Sequence, residues 1–257
     1  MQRLSWDDAF ANGPALGLWC SVGDPLLAEA LGASGATYVC VDMQHGAAHD
    51  GNLVSMLQAV AVGGAIPIVR VVENDPGLIM KALDAGASGV VVPLVETAAE
   101  AARAVAACRF PPYGTRSYGP FRAAMHAGTS DPAELSRVAC IAMVETRTGL
   151  DNLDEIAATD SLTGIYVGPS DLSLGLGLAP ASYDAPEFIA ALDAIQAACT
   201  RYKLVSGIHC YEGTTASRYI KDGFGMVTVA VEMRLLRAAL ATELGLARDA
   251  VAALDAG

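Results

Sequence analysis

Eight short apolar runs, each followed by a longer Ala- and Leu-rich stretch of helical period, constrain this chain more than any other feature. The runs fall at residues 16–20 (LGLWC), 38–42 (YVCVD), 66–71 (IPIVRV), 89–93 (GVVVP), 140–145 (CIAMVE), 164–167 (GIYV), 206–209 (SGIH) and 226–231 (MVTVAV). The helical stretches are 25–34, 51–62, 77–85, 97–108, 151–158, 186–202, 214–222 and 234–254. Apolar strands alternating with helices are what a parallel sheet covered by helices demands. Several helices end in a Gly step, as in LDAGASGVVV and IKDGFGMVTV, where a left-handed residue stops the helix and turns the chain back. Eight such units in 257 residues predict a (β/α)8 TIM barrel in the α/β class, with 1–257 as a single domain. Periodicity alone does not separate a closed barrel from a doubly wound open sheet. No GxGxxG follows the first run, which argues against a dinucleotide-binding version of the latter.

Composition narrows the partners. Hydrophobic residues make up 53% and charged residues 17%, enough for a large core and too apolar for disorder. The formal net charge is −12, from 16 basic and 28 acidic residues, which argues against nucleic acid and anionic membrane as partners. The apolar runs are too short to span a bilayer, and MQRLSWDDAFANG has no signal-peptide pattern. Six cysteines lie far apart without CxxC spacing and read as reduced and structural, hence a cytoplasmic protein.

In a barrel the chemistry sits at the C-terminal ends of the strands. Run two leads into Asp42-Met43-Gln44-His45, run three ends at Arg70, run five ends at Glu145, and run six opens into Gly168-Pro169-Ser170-Asp171. Glu145 and Asp171 are two oxygen donors on neighbouring strands, suited to a hard divalent cation such as Mg²⁺ or Mn²⁺. Singly, Glu145 could instead pair with Arg147, and Asp171 could cap the following DLSLGLG turn. Their joint placement favours the metal. The turn Gly168–Asp171 can point backbone N–H groups at a substrate carboxylate. His45 is the candidate acid/base, with Asp42 three residues away to fix its tautomer. Arg70, in an otherwise apolar strand, needs an anionic partner: Asp42, a substrate oxyanion, or both. His209 is placed to line the pocket, whereas His49 and His126 read as surface or interface residues.

The segments GLWCSVGDPLLAEALGASGATYVCVDMQHG, PIVRVVENDP, LDAGASGVVVPLVETAAEA, RFPPYGTRSYGP, MVETRTGLDNLDEI and GIYVGPSDLSLGLG resemble the HpcH/HpaI family. Its members are class II, metal-dependent pyruvate aldolases acting on 4-hydroxy-2-oxoheptanedioate or 2-keto-3-deoxy sugar acids. The resemblance implies that Glu145 and Asp171 bind the divalent metal (Mg²⁺ or Mn²⁺, with Co²⁺ as a substitute). It implies that the backbone at Ser170 and Asp171 holds the carboxylate of a 2-oxo acid, and that His45 handles the aldol hydroxyl. Arg70 would stabilise the enolate oxygen, and Asp42 or Asp84 would tune His45. Asp84 ends a helix that barrel topology puts on the opposite rim, so its reach to His45 would run across a subunit contact. The resemblance also implies a homo-oligomer, a hexamer built as a trimer of dimers that exchange their last helix. Three positions depart from the family pattern: Gln44 replaces an acidic residue, Met143 a glutamine, and Glu232 a shorter Asp.

The reaction so implied is cleavage or synthesis of 4-hydroxy-2-oxo acids, with pyruvate or hydroxypyruvate as nucleophile and an aldehyde as partner. Lys81, Lys203 and Lys221 fall in or directly after helical stretches and none at a strand's C-terminal end, which disfavours an imine mechanism. Two alternatives stay open at this stage: a CoA-thioester lyase of the citramalyl- or malyl-CoA type, and a non-catalytic sugar-acid-binding barrel.

Overall fold

In the computed structural model, which describes residues 6–255, eight parallel strands close into a barrel in sequence order. They are β1 (Ala15–Cys20), β2 (Tyr38–Asp42), β3 (Ile66–Arg70), β4 (Gly89–Val92), β5 (Ala139–Met143), β6 (Gly164–Val167), β7 (Val205–His209) and β8 (Met226–Val231). The TIM barrel expected from the alternation is thus the fold adopted, and the open sheet is not. Every expected strand forms within one or two residues of its run. Glu145 lies two residues beyond β5 rather than inside it.

The helices are α1 (Pro25–Gly32), α2 (Leu53–Gly63), α3 (Pro76–Asp84), α4 (Ala98–Cys108), α5 (Phe121–Ala127) and α6 (Pro132–Leu135). They continue as α7 (Arg147–Asp151), α8 (Leu153–Ala157), α9 (Pro169–Gly175), α10 (Pro186–Tyr202), α11 (Gly213–Lys221) and α12 (Glu232–Asp255). Local chemistry sets their starts. Asp24 and Asp75 accept hydrogen bonds from the first-turn amides of α1 and α3, each followed by a proline. Thr97 and Glu100 form a capping box on α4. Among the described residues no helix is long and apolar enough to cross a membrane.

Strand parity sorts the side chains into two cores. Val39 and Val41 of β2, Val69 of β3 and Val90 and Val92 of β4 face outward into the helix layer. Tyr38 and Cys40, Ile66 and Ile68, Val91, Ile141, Met143 and Tyr166 face the barrel axis. Trp6 and Ala9 of the 3-10 turn at Trp6–Phe10 join this inner core. The same period of two carries Asp42, Arg70 and Glu145 inward at the C-terminal rim. Inside the barrel the Thr228 hydroxyl bridges two buried tyrosines, 2.9 Å from Tyr38 Oη and 2.6 Å from Tyr166 Oη. Bare glycines opposite make room for the rings: a Cβ on Gly17 would collide with Tyr38, and one on Gly207 with Tyr166.

α12 departs from the barrel it follows. Leu236, Leu240 and Leu244, one turn apart along one face, are about half exposed (49%, 52% and 52%). Only its first turn packs on its own barrel, where Glu232 is buried and Arg234 lies 4.7 Å from the Tyr211 ring centroid.

Replacing Thr228 by the isosteric Val is expected to leave two buried phenols without their shared partner. The cost is about 1–3 kcal/mol per orphaned hydroxyl, read as a lower urea midpoint at unchanged slope.

Candidate active site

Residues from seven strand ends converge on one cavity of about 350 Å³ at the C-terminal rim, and it contains His45, Arg70, Glu145 and Asp171 together. A larger cavity of about 640 Å³ lies near the opposite rim, beside Val138 and Thr163, which precede β5 and β6. It lacks this convergence of carboxylates, so volume does not decide between the two.

Asp42 and Arg70 are cross-strand neighbours in the β2–β3 register. Their side chains meet in a bidentate pair, Arg70 Nε donating to Oδ1 at 2.9 Å and Nη2 to Oδ2 at 2.6 Å. Both are buried. Burial opposes ionisation of Asp42, but the Arg70 hydrogen bonds and charge outweigh it and hold the carboxyl below its ordinary value. Arg70 also lies 5.1 Å from the Trp19 ring centroid, which fixes the guanidinium plane. Among the described residues its Nη1 makes no hydrogen bond, so that edge is left to the pocket.

His45 sits on the exposed rim of the cavity, in the loop after β2. Asp42 does not touch its imidazole. Oδ1 instead accepts the backbone N–H of Gln44 at 3.0 Å and of His45 at 3.3 Å, so Asp42 shapes the loop and holds Arg70. Asp84 lies elsewhere. It accepts from Arg116 Nη2 at 2.7 Å and lines a separate cleft with Asp50, Lys81 and Phe121, so within one chain it does not meet His45.

Glu145 is 2% exposed. Its Oε1 accepts the Leu94 N–H at 2.9 Å, while Oε2 is buried without a hydrogen-bond partner. Leu94 holds φ at 53°, a left-handed conformation costly for a branched residue, and presents that amide to the carboxylate. Gly168 backs the other oxygen: a Cβ there would overlap Oε2 and approach Met143 Cε to 3.0 Å. Burial pushes the Glu145 carboxyl up to about 7; nearby Asp171 adds to the rise, while the Leu94 amide and Arg70 oppose it. The local alternatives are not realised. Glu145 makes no ion pair with Arg147 among the described residues, and α9 has Gly168 at its N-cap with no side-chain cap.

Tested against this geometry, a divalent cation fits. An orphaned buried carboxylate oxygen, a second carboxylate at Asp171 and a glycine cradle form an all-oxygen site for a hard ion. Among the described residues no cluster of three or more His, Cys, Asp or Glu forms a closed cage. The protein thus offers two donors, leaving positions for water and substrate.

An aromatic wall completes the cavity. His209 makes edge contacts with Trp19 and Tyr211, each at 4.9 Å, and Tyr211 Oη lies 3.0 Å from Ser170 Oγ. Burial drives the His209 imidazole down to about 3, helped by Arg70, so it is neutral. Sequence reasoning missed Trp19, Tyr211 and Leu94. Strand parity would have found Trp19, and Tyr211 lies two residues beyond His209; nothing local marks Leu94. Among the described residues no lysine lines this cavity.

The Glu145 shift predicts how metal-free protein responds to pH. Its folded value lies above the ordinary 4.5, so between about pH 4.5 and 7 the unfolded chain is ionised while the folded one keeps its proton. Stability is therefore expected to fall as pH rises through that window, and E145Q to flatten the slope in melting curves taken with EDTA.

The sequence model of the HpcH/HpaI aldolase/citrate lyase family matches residues 15–239. A hydroxypyruvate/pyruvate aldolase from Rhizorhabdus wittichii is 38% identical over 92% of this chain and 94% of its own. A 5-keto-4-deoxy-D-glucarate aldolase from Klebsiella pneumoniae is 35% identical over 89% and 90%. Among solved structures, an HpcH/HpaI aldolase/citrate lyase family protein from Burkholderia cenocepacia superposes with a TM-score of 0.85 at 32% identity, covering 92% of this chain and 95% of that one. With the fold, the rim geometry and these relatives in agreement, the chain belongs to the HpcH/HpaI aldolase/citrate lyase family.

Proposed function

We propose that this chain is a class II aldolase, a carbon–carbon lyase that cleaves or makes 4-hydroxy-2-oxo acids, with pyruvate or hydroxypyruvate on one side and an aldehyde on the other. The observation that carries the reading is the buried Glu145 carboxylate with an open oxygen, facing Asp171 across a cavity that also holds His45 and Arg70. Its curated relatives support an aldolase over a thioester lyase or a non-catalytic binder.

A bound divalent cation, Mn²⁺ or Mg²⁺ with Co²⁺ as a substitute, supplies Lewis acidity toward the keto group of the 2-oxo acid. The chain's own residues do the rest. Backbone amides over Gly168, Ser170 and Asp171 take the substrate carboxylate, with the Ser170–Tyr211 contact bracing that turn. His45 removes the proton from the C4 hydroxyl, the C3–C4 bond breaks, and the aldehyde leaves. The electron pair passes to the C2–C3 unit, and Arg70, locked in plane by Asp42, stabilises the developing enolate oxygen with its free edge. Trp19, His209 and Tyr211 limit water at that carbon. Met143, where an amide is usual, offers an apolar surface and no hydrogen bond near C3.

Assembly follows from α12. Its exposed leucine stripe supports a homo-oligomer, a hexamer built as a trimer of dimers that exchange this helix. In such an assembly Asp84 reaches a neighbouring site, not its own. All six cysteines are free and buried, which supports a reducing, cytoplasmic setting.

Three measurements test this. EDTA-stripped protein is expected to lose cleavage of a 4-hydroxy-2-oxo acid and regain it with Mn²⁺; H45N is expected to lose it with metal affinity intact. Full activity in H45N refutes the His45 assignment. G168A, whose Cβ enters the space of Glu145 Oε2, is expected to weaken Mn²⁺ binding roughly 10–100-fold by calorimetry. L236E/L240E is expected to yield smaller particles by light scattering, and an unchanged mass contradicts the role given to α12.

A further inference from the structure

Glu232, the first residue of α12, is 5% exposed, and its side chain does not enter the catalytic cavity. Its Oε1 accepts three hydrogen bonds from the loop after β1: Ser21 N–H at 2.5 Å, Val22 N–H at 2.6 Å and the Ser21 hydroxyl at 2.8 Å. Three donors on one carboxylate oxygen, two of them consecutive amides, make a charge-assisted clamp. Ser21 is a wall of the active-site cavity.

The clamped loop in turn holds the loop that carries His45. The Ser21 carbonyl accepts the Ala47 N–H at 2.7 Å, and the Gly23 carbonyl accepts Asn52 Nδ2 at 2.9 Å. The two loops touch at Gly46, where a Cβ would overlap the Asp42 carbonyl and stand 2.9 Å from that of Ser21. On the other side, Asp42 accepts the Gln44 and His45 amides. Among the described residues the His45 side chain makes no hydrogen bond, and it is exposed. Backbone alone positions this imidazole, held between Asp42 and residues 21–23.

We infer that Glu232 is a positioning residue for His45: through Ser21 it fixes the loop bearing the imidazole and ties that loop to the seat of α12. The inference rests on the reading of His45 as the acid/base. It also means that docking of α12 in an assembly and placement of His45 share one carboxylate.

The test uses the full-length, Mg²⁺-loaded protein and the variants E232A, E232Q and S21A. It reads kcat and KM for cleavage, Mg²⁺ affinity, and the imidazole NMR signals of the four histidines, with His45 assigned through H45N. E232A is expected to lower kcat on the order of 10–100-fold, as a displaced catalytic group does, with KM and Mg²⁺ affinity unchanged and the His45 signal moved or broadened. E232Q keeps an acceptor of the same reach and is expected to retain more of kcat. S21A removes one donor of three and is expected to fall between wild type and E232A, moving the same signal. An E232A protein with wild-type kcat and an unmoved His45 signal overturns the inference. So does a parallel loss of Mg²⁺ affinity, which marks a general structural role. Should E232A not fold, S21A decides: unchanged kcat with an unmoved signal overturns it. Full cleavage by H45N would instead sink the acid/base reading, while the NMR result on loop position stands apart from it.

Discussion

The site is organised around a buried carboxylate with one oxygen satisfied and the other left open. Removing an ion from water costs several kcal/mol unless its lone pairs are met. For Glu145, the Leu94 amide meets one oxygen and nothing in the described chain bonds the other. Neighbouring features preserve this state. Leu94 accepts a left-handed backbone to aim its amide, Gly168 forgoes a side chain that would fill the space, and Asp171 adds a second negative charge. The proposed divalent cation would meet the open oxygen and offset the repulsion between the two carboxylates.

At β2 and β3 the opposite solution is found. Asp42 and Arg70 satisfy each other in the folded chain, with two short hydrogen bonds and Trp19 beside the guanidinium. One end of the cavity is therefore a preformed cation with a free edge, and the other a pair of carboxyl groups, one of them buried with an open oxygen. In the proposed reaction a 2-oxo acid would lie between them, its C2 oxygen, the future enolate oxygen, facing both the proposed cation site and the free edge of Arg70. The His45 loop belongs to the preformed end, because the Asp42 oxygen that holds Arg70 Nε also accepts the loop amides.

Much of this was legible in the sequence because the barrel repeats one pattern eight times. Alternating parity then determines which residues of each run face the axis. Asp42, Arg70 and Glu145 share the parity of inward apolar residues, so their convergence follows from the runs once the barrel closes. What was not legible depends on contacts between distant segments. Asp42 was a candidate partner for both Arg70 and His45; its side chain pairs with Arg70 across the register and not with the imidazole three residues along. Phe121–Ala127 forms a helix in a stretch rich in Gly, Pro and Arg, where only one side chain, Ala123, is buried and periodicity is weak. The left-handed backbone of Leu94 has no local signature, since it answers to a carboxylate 51 positions away.

In the proposed reaction this rim generates an enolate from a 2-oxo acid with the help of a divalent ion. Exchange of the C3 protons of pyruvate with deuterated water, followed by NMR on EDTA-stripped protein with and without Mg²⁺, tests it before any aldehyde is known. The account predicts exchange that depends on the added metal and is lost in E145Q. Exchange equally fast in the stripped protein, or none with any divalent metal for either pyruvate or hydroxypyruvate, would contradict it.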